Sequence, residues 1–150
     1  MNRDEMDRQI IRLLNTDGRI SNNDIAAKLR VSEGTVRNRC KKLADAGLLK
    51  VAGLINPDDS PNRQLMLLGM NITSSKDLVK KASELAKLPN VESTYITAGR
   101  YDIIVEVWVD VKGGLIEFLS KTLAKVGGIA STESFLVMKS FNKWIPRADL

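Results

Sequence analysis

Histidine is absent from the 150 residues, and cysteine occurs once, as Cys40. Without histidine there is no Ser/His/Asp triad, no Cys/His nucleophile pair, no imidazole metal ligand and no side chain whose unperturbed pKa lies near neutrality. One cysteine makes an intramolecular disulfide impossible and excludes a Cys-rich zinc site, as fits a reducing compartment. Long apolar runs are missing too. The start of the chain, Met1-Asn2-Arg3-Asp4-Glu5, is charged where a signal peptide needs an apolar core, and the longest nearly apolar run, residues 65–72, is too short to span a bilayer. The expectation is a cytoplasmic protein that neither enters nor crosses a membrane and carries no catalytic residue, metal or cofactor.

What is present is an ordinary globular composition, 43% hydrophobic and 27% charged. A chain of this length buries roughly 70% of its unfolded surface and folds without covalent staples. Charge is uneven. Residues 1–56 hold 11 Lys and Arg against 7 Asp and Glu, whereas residues 57–150 hold 12 against 11. The excess concentrates at 28–42, where Lys28, Arg30, Arg37, Arg39, Lys41 and Lys42 face Glu33 alone. Such a patch is either a solvated helix face or a surface for a polyanion, most simply nucleic acid.

The periodicity over 4–14, with Met6, Ile10, Ile11, Leu13 and Leu14 on one side, predicts an amphipathic helix stopped near Gly18. Ser21 followed by Asp24 reads as an N-cap and its partner, opening a short helix with Ile25, Ala26 and Leu29 inward. Arg30 and Val31 turn into Ser32, a second N-cap, and a third helix runs from Glu33 to about Ala46, ended by Gly47. Its buried stripe is Val36, Cys40 and Leu43. Thr35, Arg37, Asn38, Lys41 and Lys42 lie on the opposite or flanking faces. Leu49, Val51 and residues 53–55 read as a short connecting strand, and the turn-rich 56–61 marks a boundary.

Beyond it the pattern alternates. Residues 64–73, 91–97, 101–109 and 129–140 read as strands, and 76–87 and 113–126 as helices. The inward helical residues are Leu78, Val79, Ala82, Leu85 and Ala86, then Leu115, Ile116, Leu119 and Leu123. The order βαββαβ implies a ferredoxin-like antiparallel sheet with helices on one face and a hairpin at Gly99-Arg100. The other face, expected to carry Met66, Leu68, Ile104 and Val137, favours dimerisation. The expected fold is α+β: a winged-type three-helix helix-turn-helix domain over 1–56, a linker at 57–63, the βαββαβ domain over 64–141 and a tail at 142–150. That tail either packs on a neighbouring subunit or frays.

Two short helices joined by a tight turn, the second basic on its exposed side, form a helix-turn-helix whose second helix has the size for a major groove. Here the chain resembles the Lrp/AsnC, or feast/famine, transcriptional regulators. The matching residues are 6–14 (MDRQIIRLL), Gly18-Arg19, Asp24-Ile25-Ala26, 31–39 (VSEGTVRNR), and 43–48 with Ala46-Gly47. Ala98-Gly99-Arg100-Tyr101-Asp102 is similar to the family's Gly-x-aromatic-Asp loop, and the βαββαβ order to its ACT-like ligand-binding (RAM) domain.

The resemblance implies that Ser32, Gly34, Thr35, Arg37, Asn38, Lys41 and Lys42 meet double-stranded operator DNA, with Arg37 and Asn38 reading bases and Lys41 and Lys42 holding phosphates. Arg39, at the edge of the buried stripe, is either a DNA contact or a helix-positioning ion pair. Cys40 reads as a small core residue. A small amino-acid effector is implied where the loop meets the last strand of another dimer, at Thr97, Gly99, Arg100, Tyr101, Asp102, Thr132 and Ser134. Backbone N–H groups there would take its carboxylate and Asp102 its ammonium. Alternatively Gly99-Arg100 only closes a hairpin and Asp102 only caps the loop. Homodimers, often in an octamer, and a pseudo-palindromic operator are implied as well.

Three other readings compete. Siroheme decarboxylases share the two-domain layout but rely on histidine, which is absent. RNA binding through the sheet needs stacking aromatics, and Tyr101 and Trp108 have no matching aromatic on the first strand. An amino-acid sensor acting on a protein partner leaves the basic helical face unused.

Overall fold

The computed structural model describes residues 4–146, which form two compact units divided between Gly53 and Leu54. The first contains α1 (Glu5–Thr16), α2 (Asn22–Leu29) and α3 (Glu33–Asp45). Each start is set by a side chain. Asp4 accepts from the Asp7 N–H at 2.9 Å, Ser21 from Asp24 at 3.1 Å, and Ser32 from Thr35 at 3.2 Å, each satisfying a donor with no partner inside its helix. Ser21 Oγ also donates to the Asp24 carboxylate at 2.6 Å, the pairing expected from their spacing. Between α2 and α3, Arg30 takes the left-handed conformation at φ 55° while the Val31 N–H reaches back to Ala26 O at 3.0 Å. Gly47, at φ 67°, ends α3 the same way, with Leu48 N–H on Leu43 O at 2.8 Å. Ile10, Ile25, Ala26, Val36 and Leu43 are buried, and Cys40 packs beside them, its thiol pKa pushed up chiefly by burial.

The strand expected over 49–55 does not form. Only Ile55 pairs, in an isolated antiparallel bridge with Ile145. Ala52 and Gly53 lack the side chains that hold a strand against a neighbour, and the run has no second strand beside it. The stretch read as a linker at 57–63 is also ordered: Pro57–Asp59 makes a 3-10 turn capped by Asn56, with Pro57 buried. The second unit therefore begins ahead of the turn-rich segment.

That unit is built from β1 (Arg63–Ile72), α4 (Leu78–Leu85), β2 (Val91–Ile96), β3 (Ile103–Asp110), α5 (Gly114–Glu117) and β4 (Ile129–Leu136). The antiparallel sheet has the order β2-β3-β1-β4, the ferredoxin-like arrangement. A 3-10 turn, Ser75–Asp77, precedes α4; a π turn, Phe118–Thr122, and a 3-10 turn, Leu123–Lys125, prolong α5. Met66, Leu68, Met70, Val105 and Val107 pack against Ala82, Leu85, Phe118 and Leu123 as the core.

Two expectations need correction. Met66 and Leu68 lie on the helix-covered face, not the open one. Residues 65–68 are all apolar, so alternation there assigns no side. The open face instead carries Leu67, Ile104, Tyr95 and Phe135, while Leu65, Trp108 and Val137 at one end are covered by Ile55 and Ile145. The helical stripes are also narrower than expected. Val79 is 73% and Ile116 74% exposed, Ala86 is exposed, and Phe118 is buried instead. Val79 and Ile116 each sit one residue, a rotation of about 100°, beyond the residue that faces the sheet. Of the 142–150 tail, Ile145 is buried on the sheet and Lys143 bonds Glu106 at 2.6 Å; residues 147–150 lie outside the described part.

Candidate functional site

α3 presents Gly34, Arg37, Asn38, Lys41 and Lys42 on one side, opposite Val36 and Leu43. Arg37, Asn38, Lys41 and Lys42 are exposed, and among the described residues Arg37 pairs only with Glu33 one turn earlier, at 3.4 Å. That surface pair is readily exchanged for a phosphate or a base edge. Ser32 and Thr35 stand at the N-terminal end with hydroxyls 2.8 Å apart, engaged in the cap. Among the described residues beyond its own helix backbone and chain neighbours, a Cβ at Gly34 would meet nothing closer than 3.9 Å, so packing there does not require glycine.

Arg39 is turned away from this surface. Its Nη1 donates to Asp4 at 2.6 Å and Asp7 at 2.9 Å, joining the middle of α3 to the first turn of α1. Asp7 is 3% exposed and Arg39 is its cation. The Asp4 carboxyl is held below its ordinary pKa, first by the Asp7 N–H and then by the Arg39 hydrogen bond, and the guanidinium is raised in turn by Asp4 and Asp7. Of the two readings left open for Arg39, the geometry is that of the positioning ion pair.

In the second unit the 97–102 loop joins β2 to β3. Thr97 closes it, its N–H on Asp102 O at 3.0 Å and its hydroxyl donating to Tyr101 O at 2.6 Å. Gly99 is at φ 143°, a backbone that side-chain-bearing residues rarely adopt. Asp102 anchors the loop to β1: its N–H donates to Met70 O at 3.0 Å and its carboxylate accepts the Ile72 N–H at 2.9 Å. Tyr101 lies over Gly69, where a Cβ would come within 2.7 Å of the ring. Its hydroxyl donates to Glu133, which also receives Arg100 at 3.2 Å, and the Arg100 guanidinium stands 5.4 Å from the ring. Phe135 meets the ring edge-on at 6.0 Å. Donation to Glu133 raises the Tyr101 pKa above the ordinary tyrosine range, with burial adding to it.

Thr97, Gly99, Arg100, Tyr101 and Asp102 are thus brought together within one chain. Thr132 and Ser134 are not among them. They stand opposite Met70 and Leu68, on the helix-covered side of β4, whereas Glu133 between them faces the loop. Sequence reasoning missed Glu133, Gly69 and Phe135. Alternation along β4 separates 133 and 135 from 132 and 134, but only the pairing register says which set meets Tyr101. Among the described residues no helix is long and apolar enough to cross a membrane.

A helix-turn-helix with an exposed basic second helix, followed by a separate ferredoxin-like unit, defines a DNA-binding transcriptional regulator carrying a ligand-binding domain. Two family models match this layout, the AsnC-type helix-turn-helix domain at residues 4–44 and the Lrp/AsnC ligand binding domain at 66–143. The chain belongs to the Lrp/AsnC family. It is 37% identical over 142 residues to an uncharacterized HTH-type transcriptional regulator of Pyrococcus horikoshii, covering 94% of this chain and 89% of that one. The solved structure of E. coli AsnC is similar with a TM-score of 0.68 and 26% identity, over 93% of this chain and 95% of that one. A Neisseria meningitidis transcriptional regulator solved in complex with L-Met has the same fold, with a TM-score of 0.70 and 23% identity over 98% and 97% of the two chains.

Proposed function

We infer that this regulator binds a pseudo-palindromic operator as a homodimer through the α3 face, and that a small amino acid held at the 97–102 loop shifts its assembly or its DNA affinity. The carrying observation is that Arg37, Asn38, Lys41 and Lys42 are exposed together on one capped helix, while Arg39, the remaining cation of α3, is committed to Asp4 and Asp7. Arg37 and Asn38 have the bidentate groups that discriminate bases, and Lys41 and Lys42 are point charges for phosphates. Ser32, Gly34 and Thr35 bring the N-terminal end of the helix, with its short side chains, close to the DNA backbone.

The effector reading is supported by the L-Met complex of the Neisseria regulator and by the polar cluster at the loop. Asp102 accepts one β1 backbone N–H and keeps acceptor capacity for an ammonium, whereas Glu133 already receives Tyr101 and Arg100. Thr132 and Ser134 enter such a site from a neighbouring dimer, in an assembly up to an octamer.

Fluorescence anisotropy against an operator selected from random duplexes tests the DNA half. Lys41→Ala weakens every duplex alike and flattens the salt dependence by about one phosphate's worth. Arg37→Ala costs about 1–3 kcal/mol at the preferred base pair and relaxes the preference there. A changed sequence preference in Lys41→Ala contradicts the assignment.

A further inference from the structure

Glu33 is the one carboxylate among the six cations of residues 28–42, and it is the first residue of α3, whose N-terminal end is the part a recognition helix brings to base edges. Its position is set locally. The Ser32 cap, accepting the Thr35 N–H at 3.2 Å, fixes the first turn, and the Glu33 carboxylate meets the Arg37 guanidinium one turn on at 3.4 Å. Both side chains keep open surface, 34% for Glu33 and 66% for Arg37, so the pair is presented outward as a unit. Gly34 stands next to Glu33. Glycine is disfavoured inside a helix, and packing does not call for one at 34, so the bare backbone leaves room for a partner from outside the chain to come close.

A carboxylate accepts hydrogen bonds and donates none, which restricts what it can meet on DNA. Phosphates repel it. On the floor of the major groove guanine presents two acceptors, thymine an acceptor and a methyl group, and adenine an acceptor beside its donor. Cytosine alone presents a donor, its N4–H, without an acceptor of its own. A carboxylate held there therefore selects cytosine. Arg37 supplies the complementary contact, a fork for guanine O6 and N7, and its charge offsets the cost of bringing an anion to the DNA surface. Side chains one helical turn apart have Cβ atoms about 5–6 Å apart, while successive base pairs are about 3.4 Å apart, so the two residues read pairs one or two steps apart.

We propose that Glu33 is a specificity-determining residue of the α3 face, accepting from the N4–H of a cytosine that lies one or two base pairs from the guanine read by Arg37 in each half-site. This rests on DNA binding through α3 as inferred above and is independent of the effector loop. A carboxylate that served only the helix, by facing its N-terminal dipole or steadying Arg37, would carry no base preference of its own.

Selection of operators from random duplexes by the full-length wild type, Glu33→Ala, Arg37→Ala and Lys41→Ala, followed by fluorescence anisotropy, tests the assignment. The wild type selects a cytosine one or two pairs from the Arg37 guanine, and changing that C·G pair weakens binding about tenfold. Glu33→Ala loses the preference for the cytosine and keeps the preference for the guanine, which Arg37→Ala loses. N4-methylcytosine at the same place, whose methyl group takes the groove side of N4, weakens the wild type about tenfold and leaves Glu33→Ala unaffected. Thermal melts confirm that the variants are folded. The proposal is overturned if the wild type selects no such cytosine, or if Glu33→Ala keeps that preference, weakens all duplexes alike, or relaxes only the pair that Arg37→Ala relaxes. N4-methylcytosine weakening Glu33→Ala as much as the wild type overturns it equally. If Arg37→Ala and Lys41→Ala also leave DNA binding unchanged, the α3 reading itself fails. If those two behave as assigned and Glu33→Ala does not, the α3 reading stands and the role of Glu33 alone falls.

Discussion

Gly69 is the residue on which the loop's geometry depends most directly. It lies mid-strand, where glycine is otherwise unfavourable, because the Tyr101 ring occupies the space a side chain would fill. Gly69→Ala forces the ring aside and costs about 1–3 kcal/mol by urea denaturation, and Tyr101→Leu in the same chain recovers part of it. Asp4 gives a second test. Its folded pKa lies below the unfolded value because the Asp7 N–H and Arg39 favour the carboxylate. A group depressed in this way contributes stability above its unfolded pKa and loses it as pH falls through the folded one. The melting temperature of the wild type therefore declines on acidification below about pH 4, and Asp4→Asn, less stable at neutral pH, declines less over that range. Arg39 shows how far single residues were legible: its place beside the buried stripe marked it as ambiguous, but a partner 35 positions away, Asp4, leaves no trace in local spacing.

At the scale of elements, the caps were the most legible feature because each is a local bargain between one side chain and a backbone N–H three residues on. Ser21 and Ser32 stand where their spacing put them. The turn between α2 and α3 is less comfortable, since Arg30 holds a left-handed conformation that costs a side-chain-bearing residue about 1 kcal/mol. Arg30→Gly is expected to raise stability by a few tenths to about 1 kcal/mol in chemical denaturation. Faces were harder to read than elements. The run 65–68 is apolar on both sides of the strand, so only pairing decides that Met66 and Leu68 go under the helices. In α5 a π turn at Phe118–Thr122 slows the rotation of the helix, so that Phe118 and Leu123 both reach the core, and a uniform 100° per residue does not foresee it.

For the whole molecule, the uneven charge of the sequence separates its two tasks. The basic excess of the first 56 residues gives a salt-dependent attraction to DNA, while the nearly neutral remainder leaves the ligand-binding unit to recognition by shape and specific polar groups. A melt screen against the twenty amino acids addresses that unit: a ligand at a hundred times its Kd adds about 2.7 kcal/mol. One or two amino acids are expected to raise the transition, and Asp102→Ala to abolish the shift. Family and layout were legible because motifs spread over both units agree. The cluster around Tyr101 was legible only as a loop, because β4 contributes Glu133 and Phe135 by register.

The bridge between Ile55 and Ile145, two backbone hydrogen bonds of 2.9 and 3.0 Å, brings the start of the second unit beside the end of its described residues. A module whose ends meet is portable. It can be spliced into a surface turn of an unrelated host without stretching either junction, or rejoined head to tail and reopened elsewhere.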